Sequence, residues 1–445
     1  MARKPVIFIP GFPASELEDG VSGRTVFPPS LTTLLDSQKR RAFLNEIVVV
    51  PGTLIAGLPI TTALGIAKQA QSLYDILGGH YGYDISGLNP RDFAPIGWDW
   101  REAIDAGAVQ QSIRDVLDLL SPNRNQNVVA IVHSTGGLVF RAFLEANPPY
   151  ARCLEQVLAF GVPWCGTLAA LHAVSEGDSA GFLFIKLISA SQSASMISHA
   201  QAAYDLLPTD PSTKLFISNG QATTPIADQS WIPIPNAYMR TLAANAHPPF
   251  ARRFDALPVT NVCGWGVATY ERCTLSNGSL SFQNGLKKLG DGTVPLVSSE
   301  WLQGSGVRSM VLPIGAYATN FIPRVHAQIW DSPPVLQLFD EVLNDRPRTP
   351  FICAAADSDD SIDDRRDVRI RLSAIAADGS PLSNCVATLN LNGGTTQVPL
   401  ASGRAEVTLK RANIHHNIDP DLYRFTIDIR WDGGQVERVV VIRSV

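Results

Sequence analysis

Three side chains that lie far apart in this sequence could together perform nucleophilic chemistry: Ser134, Asp291 and His326. A serine hydroxyl attacks a carbonyl carbon efficiently when an imidazole takes its proton and a carboxylate holds that imidazole in the correct tautomer. The chain supplies the hydroxyl first, then the carboxylate, then the imidazole. If the fold brings the three groups together, they form a catalytic triad.

The segment around Ser134 has the pattern of a strand followed by a helix. Residues 128–132 form a continuous apolar run, which predicts a strand buried on both faces of a parallel sheet, and apolar residues then recur at helical spacing. Gly136 is small, as a sharp turn requires, whereas Val132 stands where such turns usually have a glycine. A strand, a sharp turn with one serine and a helix form the nucleophile elbow of α/β-hydrolases. The alternative is an ordinary connection in which Ser134 caps the helix.

The other two groups follow in the chain order that α/β-hydrolases use, serine, then acid, then histidine. Asp291 lies in a Gly-Asp-Gly turn after a late strand, and His326 lies in a loop before the last predicted helix of this region. From the residues alone, the alternative for Asp291 is a purely structural role, in which it stabilises a glycine-rich turn. His133, next to the serine, is expected to pack rather than to take part in the chemistry.

Backbone amides near the serine could stabilise an oxyanion. The first predicted strand, 6–9, runs into a Pro-Gly-Phe-Pro loop, and the loop after an early strand donates one such N–H group in α/β-hydrolases. Phe12 is expected to supply that group, and Thr135, the residue after the nucleophile, is expected to supply the second.

The surrounding pattern predicts an α/β fold with helices on both faces of a mostly parallel sheet. Strands alternate with helices over residues 1–353, which we interpret as one catalytic domain. Two irregular apolar stretches interrupt this pattern, and we expect a cap insertion at about 20–70 and a lid at about 165–230. The uncharged part of the first stretch contains several prolines and glycines, so a membrane-spanning helix is not expected there.

The residues after 353 have a different composition. Residues 354–367 are rich in aspartate and predict an acidic linker. Residues 368–445 alternate apolar and polar residues and contain two Gly-Gly turns, which predicts a small antiparallel β-sandwich.

Composition excludes several classes of function. The net charge is −5 and no run of Lys or Arg stands out, so a nucleic-acid partner is not expected. The six cysteines include no C-x-x-C pair, and we expect neither a metal site nor a cofactor. Cys263 and Cys273 could form a disulfide, although buried free thiols are the simpler interpretation. The N-terminal residues lead directly into a strand and predict no signal peptide, so a cytoplasmic location is expected, with possible contact to a membrane surface.

Taken together, the motifs of the sequence resemble those of the lecithin:cholesterol acyltransferase family, whose relatives include lysosomal phospholipase and phospholipid:diacylglycerol acyltransferase. The matching motifs occur in the family's order: PVIFIPGFPASELE at 5–18, WDWR at 98–101, HSTGG at 133–137, GVPWCGT at 161–167, YDLLP at 204–208, GDGTVP at 290–295 and the late His326. The resemblance implies an α/β-hydrolase fold with the triad Ser134, Asp291 and His326. It also implies oxyanion donors at Phe12 and Thr135, and a cap and a lid that contact lipid.

Trp98 and Trp164 lie within these motifs and are candidate substrate-binding residues. The expected function is a serine hydrolase or acyltransferase that acts on lipid or other carboxylic esters through an acyl-enzyme. The alternative is a binding or assembly protein that keeps the hydrolase fold, has little or no turnover, and uses its C-terminal β-domain to contact a partner. Val132 and the added β-domain support this alternative.

Overall fold

The structure, a computed structural model, divides the chain into two compact units, Met1–Leu336 and Gln337–Val445. It describes residues 3–48, 54–60, 62–63, 67–68, 70–86, 91–124, 128–177, 189–233, 236–284, 289–312, 314, 326–344, 351–356, 368–375, 384–391, 394–409, 415–416, 422–431 and 434–443.

The first unit is built on strands that follow one another along the chain. In chain order they are β1 Val6–Ile9, β2 Ser15–Asp19, β3 Thr25–Phe27, β4 Leu54–Pro59, β5 Thr62–Ala63, β6 Ala67–Lys68, β7 Phe93–Pro95, β8 Val128–His133, β9 Leu154–Phe160, β10 Phe216–Ser218, β11 Gln221–Thr223, β12 Val259–Gly264, β13 Tyr270–Ser276, β14 Ser279–Asn284 and β15 Val307–Leu312. Within the described residues, six of them form one parallel sheet in the order β15-β12-β9-β8-β1-β7.

Two central strands of this sheet, β1 and β8, are apolar runs that the sequence predicts. Every residue of β1, β8 and β12 is buried, as expected for parallel strands covered on both faces. Val132 of β8 lies in register between Ile9 of β1 and Ala159 of β9, and it is completely buried. The fold class predicted from the sequence is confirmed, because helices connect these parallel strands as in α/β-hydrolases.

Helices connect the strands and cover the sheet. In chain order they are α1 Leu31–Leu35, α2 Ser37–Ile47, α3 Gln71–Asp75, α4 Gly107–Leu120, α5 Thr135–Ala146, α6 Leu168–Ser175, α7 Ala190–Ile197, α8 Gln201–Asp205, α9 Ala237–Ala244, α10 Leu296–Ser299 and α11 Pro333–Leu343. A π-helical turn follows α3 at Ile76–His80, and short 3-10 helices lie at Pro148–Cys153, Pro211–Thr213, Gln229–Trp231 and His326–Asp331. None of the described helices is long and apolar enough to cross a membrane.

The stretch at 20–70, expected to form a cap, contains β3, β4, α1, α2 and the paired strands β5 and β6. Strands β3 and β4 flank β2 in a small antiparallel sheet, named the cap sheet here after that expectation. Gly57 of this sheet contacts Gly97 so closely that a Cβ on Gly97 would lie 1.7 Å from the Gly57 carbonyl oxygen. The WDWR motif lies beside it in the core, where Asp99 and Arg101 form a buried ion pair of 2.6 Å.

The stretch at 165–230, expected to form a lid, contains α6, α7, α8 and the strands β10 and β11. Those two strands join β13 and β14 in a second sheet of mixed direction. The apolar cluster at 182–188 lies outside the described residues. Cys263 and Cys273 are both buried and free, so they do not form the disulfide that the sequence left open.

The second unit contains two antiparallel sheets. Its strands are β16 Phe351–Ala356, β17 Val368–Ile375, β18 Cys385–Leu391, β19 Gly394–Leu400, β20 Arg404–Leu409, β21 His415–His416, β22 Leu422–Trp431 and β23 Gly434–Arg443. One sheet has the order β16-β17-β20, and the other has the order β19-β18-β22-β21 with β23 paired to β22.

This arrangement corrects the predicted linker at its start. Residues 354–356 belong to β16, which pairs with β17 from Phe351 opposite Ile375 to Ala356 opposite Ile370. The aspartate-rich part, 357–367, lies outside the described residues. Alanines carry no strong strand signal in the sequence, and here the backbone ladder with β17 decides their conformation.

Candidate active site

Ser134 lies in a strained turn between β8 and α5. Its backbone has φ 53° and ψ −130°, a conformation that residues other than glycine rarely adopt. Its amide donates to the Phe160 carbonyl at the end of β9 with a distance of 2.9 Å. The strand, the positive φ and the immediate start of the helix together have the geometry of a nucleophile elbow.

Glycines permit the close approach of neighbouring chain segments to this turn. A Cβ on Gly136 would lie 2.3 Å from the Ile9 carbonyl oxygen, and a Cβ on Gly11 would lie 2.6 Å from the Ser134 Cβ. Any side chain at either position would therefore force β1 and the elbow apart. The loop after β1, which contains Phe12, is held against Ser134 as a result.

Asp291 is fixed by its own turn. One carboxylate oxygen, Oδ1, accepts hydrogen bonds from the amides of Thr293 at 3.0 Å and Val294 at 2.7 Å. The side chain is 1% exposed, and a Cβ on Gly264, the last residue of β12, would lie 2.9 Å from the Asp291 Cβ. The second oxygen, Oδ2, is left to face His326.

The structure brings His326 to this carboxylate. Nδ1 of His326 lies 2.6 Å from Oδ2 of Asp291. Because a carboxylate only accepts, Nδ1 carries the proton, and the lone pair of the neutral ring is then on Nε2. Nε2 is buried and has no hydrogen-bond partner among the described residues. A lone pair held in this way can act as a general base.

The three predicted catalytic residues lie at one edge of the sheet. Ser134 follows β8, Gly161 follows the adjacent β9, and Asp291 packs against the end of β12, the next strand. A Cβ on Gly161 would lie 3.0 Å from both Oδ2 of Asp291 and Nδ1 of His326. Since the carboxyl ends of parallel strands meet at one edge, Asp291 and His326, called the acid–base pair below, lie next to the elbow.

Gly161 is a residue of this site that the sequence analysis did not single out. Its φ is +55°, and its amide donates to the Val262 carbonyl at 2.9 Å. Its position, the first residue after a buried strand and within the GVPWCGT motif, was the available signal. Only glycine leaves room there for the acid–base pair and adopts this φ without strain.

His133 also contacts the site. Its Nε2 lies 3.0 Å from the backbone carbonyl oxygen of His326. The two imidazole rings have centroids 4.7 Å apart, and the His133 ring lies 4.8 Å from the ring of Trp330. Burial, together with the nearby His326, lowers the pKa of His133 to about 3, so this ring is neutral at ordinary pH.

The two predicted oxyanion donors lie on either side of the elbow. Thr135 is the first residue of α5, where backbone amides have no intrahelical partner. Phe12 follows Gly11 in the loop held against Ser134, and its ring packs edge-on against Trp100 with centroids 5.4 Å apart. Both backbones are therefore near the serine, and their role as oxyanion donors stays a prediction.

The two candidate substrate-binding tryptophans are buried and have protein partners. The indole N–H of Trp98 donates to the Pro10 carbonyl at 3.0 Å, and that of Trp164 donates to Oδ1 of Asn261 at 3.0 Å. Trp98 thereby supports the loop that carries Phe12. Trp164 also lines a small cavity with Leu138 of the elbow helix. Contact of either ring with a substrate stays a prediction.

The site offers no cluster of metal ligands. Among the described residues, no group of three His, Cys, Asp or Glu side chains is arranged to hold a metal ion.

A protein-family model matches part of the chain. Residues 86–304 match the family model described as lecithin:cholesterol acyltransferase. The matched segment contains Ser134 and Asp291, and His326 lies beyond its end. A search of curated proteins found no match to the chain.

Several solved structures are similar to the chain at low sequence identity. The Tle4–Tli4 complex has 13% identity and a TM-score of 0.43, covering 75% of this chain and 96% of the other. The lipase BlEst2 of Bacillus licheniformis, in its propeptide form, has 11% identity and a TM-score of 0.30, covering 98% and 93%. Phospholipase PlaB from Legionella pneumophila has 10% identity and a TM-score of 0.32, covering 99% and 91%.

The family resemblance drawn from the sequence motifs is confirmed by the family match. That match supports a lipid ester hydrolase or acyltransferase activity. The parallel sheet with its connecting helices and the partial family match lead to one conclusion: this chain has an α/β-hydrolase fold, and its residues 86–304 match the lecithin:cholesterol acyltransferase family model.

Proposed function

We propose that this chain cleaves lipid or other carboxylic esters through Ser134, His326 and Asp291, with an acyl-serine intermediate. The observation that supports this most strongly is the 2.6 Å bond from Nδ1 of His326 to Asp291, which leaves Nε2 unpaired among the described residues. This bond lies at the sheet edge where Ser134 occupies a strained elbow.

In the first step, Nε2 of His326 takes the proton of the Ser134 hydroxyl while Oγ attacks the ester carbonyl carbon. The imidazolium that forms is stabilised by the Asp291 carboxylate. That carboxylate keeps its orientation because its other oxygen is held by the amides of Thr293 and Val294. No proton needs to reach Asp291.

The negative charge that develops on the carbonyl oxygen is stabilised by the backbone amides of Phe12 and Thr135, which would contribute ~3 kcal/mol each. His326 then gives its proton to the departing alkoxide, and the acyl group remains on Ser134. Water completes a hydrolysis, or an alcohol completes a transfer, with His326 acting as base again. The ratio of the two outcomes depends on how well the closed site excludes water.

A serine-directed fluorophosphonate probe tests the assignment. Wild-type protein should be labelled once, and Ser134→Ala should not be labelled. Ser112→Ala is the matched control, since Ser112 lies on the exposed surface of α4 and its hydroxyl donates to the Ala108 carbonyl. Persistent labelling of folded Ser134→Ala protein would contradict the proposal.

Substrate assays define the reaction. Turnover should be measured on short and long p-nitrophenyl esters, and products should then be profiled from mixed lipids with and without an added alcohol. Folded wild-type protein that is neither labelled nor active on any chain length would favour the alternative of a binding or assembly protein.

A further inference from the structure

His133 connects the strand that carries the nucleophile to the segment that carries the base. It is the last residue of β8, directly before Ser134, and its Nε2 is 3.0 Å from the backbone carbonyl oxygen of His326. His326 is thus held at two separate points. Asp291 holds its ring at Nδ1, and His133 holds its main chain.

The chemistry of this contact fixes the state of His133. A carbonyl oxygen only accepts hydrogen bonds, so Nε2 of His133 must carry a proton and donate. The ring is 8% exposed and neutral at ordinary pH, because burial and His326 lower its pKa to about 3. A charged ring at a centroid distance of 4.7 Å would oppose formation of the His326 imidazolium, whereas a neutral donor does not.

The aromatic surroundings of His133 hold its ring in place. Trp330 packs edge-on against it at 4.8 Å, and its indole N–H donates to Oγ of Ser72 at 2.7 Å. Phe8 of β1 and Phe160 of β9 pack against the same tryptophan at 6.3 Å and 5.9 Å. The donor position of His133 is therefore tied to the sheet itself.

We propose that His133 is a positioning residue for the reaction, and that its hydrogen bond to the main chain of His326 keeps the imidazole within reach of Ser134. The inference deepens the proposed function and depends on it. His133 does not exchange a proton with the substrate. Its contribution is to hold the main chain of His326, at the start of the His326–Asp331 3-10 helix, against the end of β8, in addition to the contact that Asp291 makes with the ring.

Two substitutions of similar size separate the hydrogen bond from the packing. His133→Gln keeps an N–H donor at nearly the position of Nε2, and His133→Met fills the space without a donor. We expect His133→Met to lower kcat by about tenfold with little change in KM, since it removes one buried hydrogen bond to the group that positions the base. His133→Gln should retain most of the wild-type kcat. Thermal unfolding of both variants establishes that they are folded.

If packing alone matters, the two variants will behave alike, or His133→Met will have wild-type kcat; either result overturns the proposal. A change confined to KM would also overturn it, because the hydrogen bond acts on the base and does not contact substrate.

A second measurement does not depend on turnover. The proton on Nδ1 of His326, which is shared with a carboxylate, should give a downfield proton resonance in protein labelled with ¹⁵N-histidine. We expect this resonance to weaken or shift in His133→Met and to be retained in His133→Gln. An unchanged resonance in His133→Met would overturn the inference even if kcat fell.

Failure of the proposed function looks different from failure of this inference. Wild-type protein without probe labelling or ester turnover would contradict the proposed function, and the resonance comparison would still decide whether His133 positions His326. Active wild-type protein, together with an unchanged kcat in His133→Met, would contradict only the inference.

Discussion

Gly161 is the residue whose replacement would disturb the acid–base pair most directly. The nearest atoms to an added Cβ are Oδ2 of Asp291 and the Nδ1 and Cε1 atoms of His326, all at 3.0 Å. That distance is shorter than ordinary van der Waals contact, so one partner of the hydrogen bond must move. Neither moves cheaply, because the Thr293 and Val294 amides hold Asp291 and His133 holds the main chain of His326.

We therefore expect Gly161→Ala to lower kcat by on the order of 100-fold, since small misplacement of a catalytic group is costly. Positive φ at an alanine adds a stability cost of about 1 kcal/mol that has nothing to do with the site. Gly220→Ala is the matched control, because Gly220 has φ +78° and open space around it. Both variants should lose thermal stability through the positive φ, and only Gly161→Ala should also lose turnover. Equal kcat values in the two variants would show that the contact with the acid–base pair is unimportant.

His133 should also give the fold a measurable pH dependence. Its pKa falls from the ordinary 6.5 to about 3 on folding, so between these pH values the unfolded chain binds a proton that the folded chain does not. The free energy of unfolding therefore rises with pH across this window, at up to ~1.4 kcal/mol per pH unit. As the pH falls through the same window, the stabilisation that neutral His133 contributes is lost. Above pH 6.5 the contribution of His133 no longer changes.

Removing the titrating group should flatten this dependence. Urea unfolding of wild type and His133→Gln should show free energies that diverge as the pH falls from 6.5 towards 3, with the wild type losing more stability on acidification. His80→Gln, at an exposed position, controls for loss of a histidine as such. Parallel curves for wild type and His133→Gln would mean that His133 is not buried in the neutral state.

At the scale of elements, the sequence predicted the sheet better than it predicted the contacts around it. Strands β1 and β8 were predicted because each is an unbroken apolar run, the local pattern of a strand buried on both faces. The chain order of serine, acid and histidine was also visible, because it can be read directly from the sequence. The positive φ of Gly161 was not, because it depends on what lies opposite once the chain has folded. The same is true of the hydrogen bond made by His133.

The contact between β4 of the cap sheet and the segment after β7 is another feature that no local pattern could have shown. Gly97 and Gly57 are far apart in the sequence, yet a Cβ on Gly97 would be 1.7 Å from the Gly57 carbonyl oxygen and 2.9 Å from its carbon. These are backbone atoms of a strand, so they cannot rotate away as the end of a side chain could. The cap sheet must shift as a whole to admit a methyl group.

We expect Gly97→Ala to lower the free energy of unfolding by about 1–3 kcal/mol or more, the range for forcing an added group into a packed contact. Limited proteolysis should also cut earlier within the cap insertion, because the cap sheet loses its support. Gly107→Ala is the control, since Gly107 opens α4 with nothing within 4 Å of an added Cβ. Equal stability of the two variants would mean that the cap is not held through this contact.

At the scale of the whole molecule, the candidate site belongs to one unit. Ser134, Asp291 and His326 all lie within Met1–Leu336. The second unit has buried apolar side chains of its own: Leu372, Ala374, Cys385, Ala387, Leu389 and Leu400. Each unit therefore has an independent reason to fold, and no proposed catalytic residue lies after α11.

A truncated chain can test whether the first unit folds and reacts without the second, provided that the cut leaves no strand without its partner. A cut at 368, at the predicted start of the β-domain, would leave β16 without β17, its antiparallel partner over six residues. An unpaired strand of this kind promotes aggregation. A cut after residue 344 removes β16 and β17 together and keeps α11 whole.

We expect a chain of residues 1–344 to be folded and to keep most of its ester turnover and its labelling by a fluorophosphonate probe. The physical reason is that both contacts of His326, with Asp291 and with His133, lie inside the retained part. The 1–344 chain carrying Ser134→Ala should not be labelled. A soluble, cooperatively unfolding 1–344 chain without turnover, measured beside an active full-length chain, would show that the second unit contributes to the reaction itself.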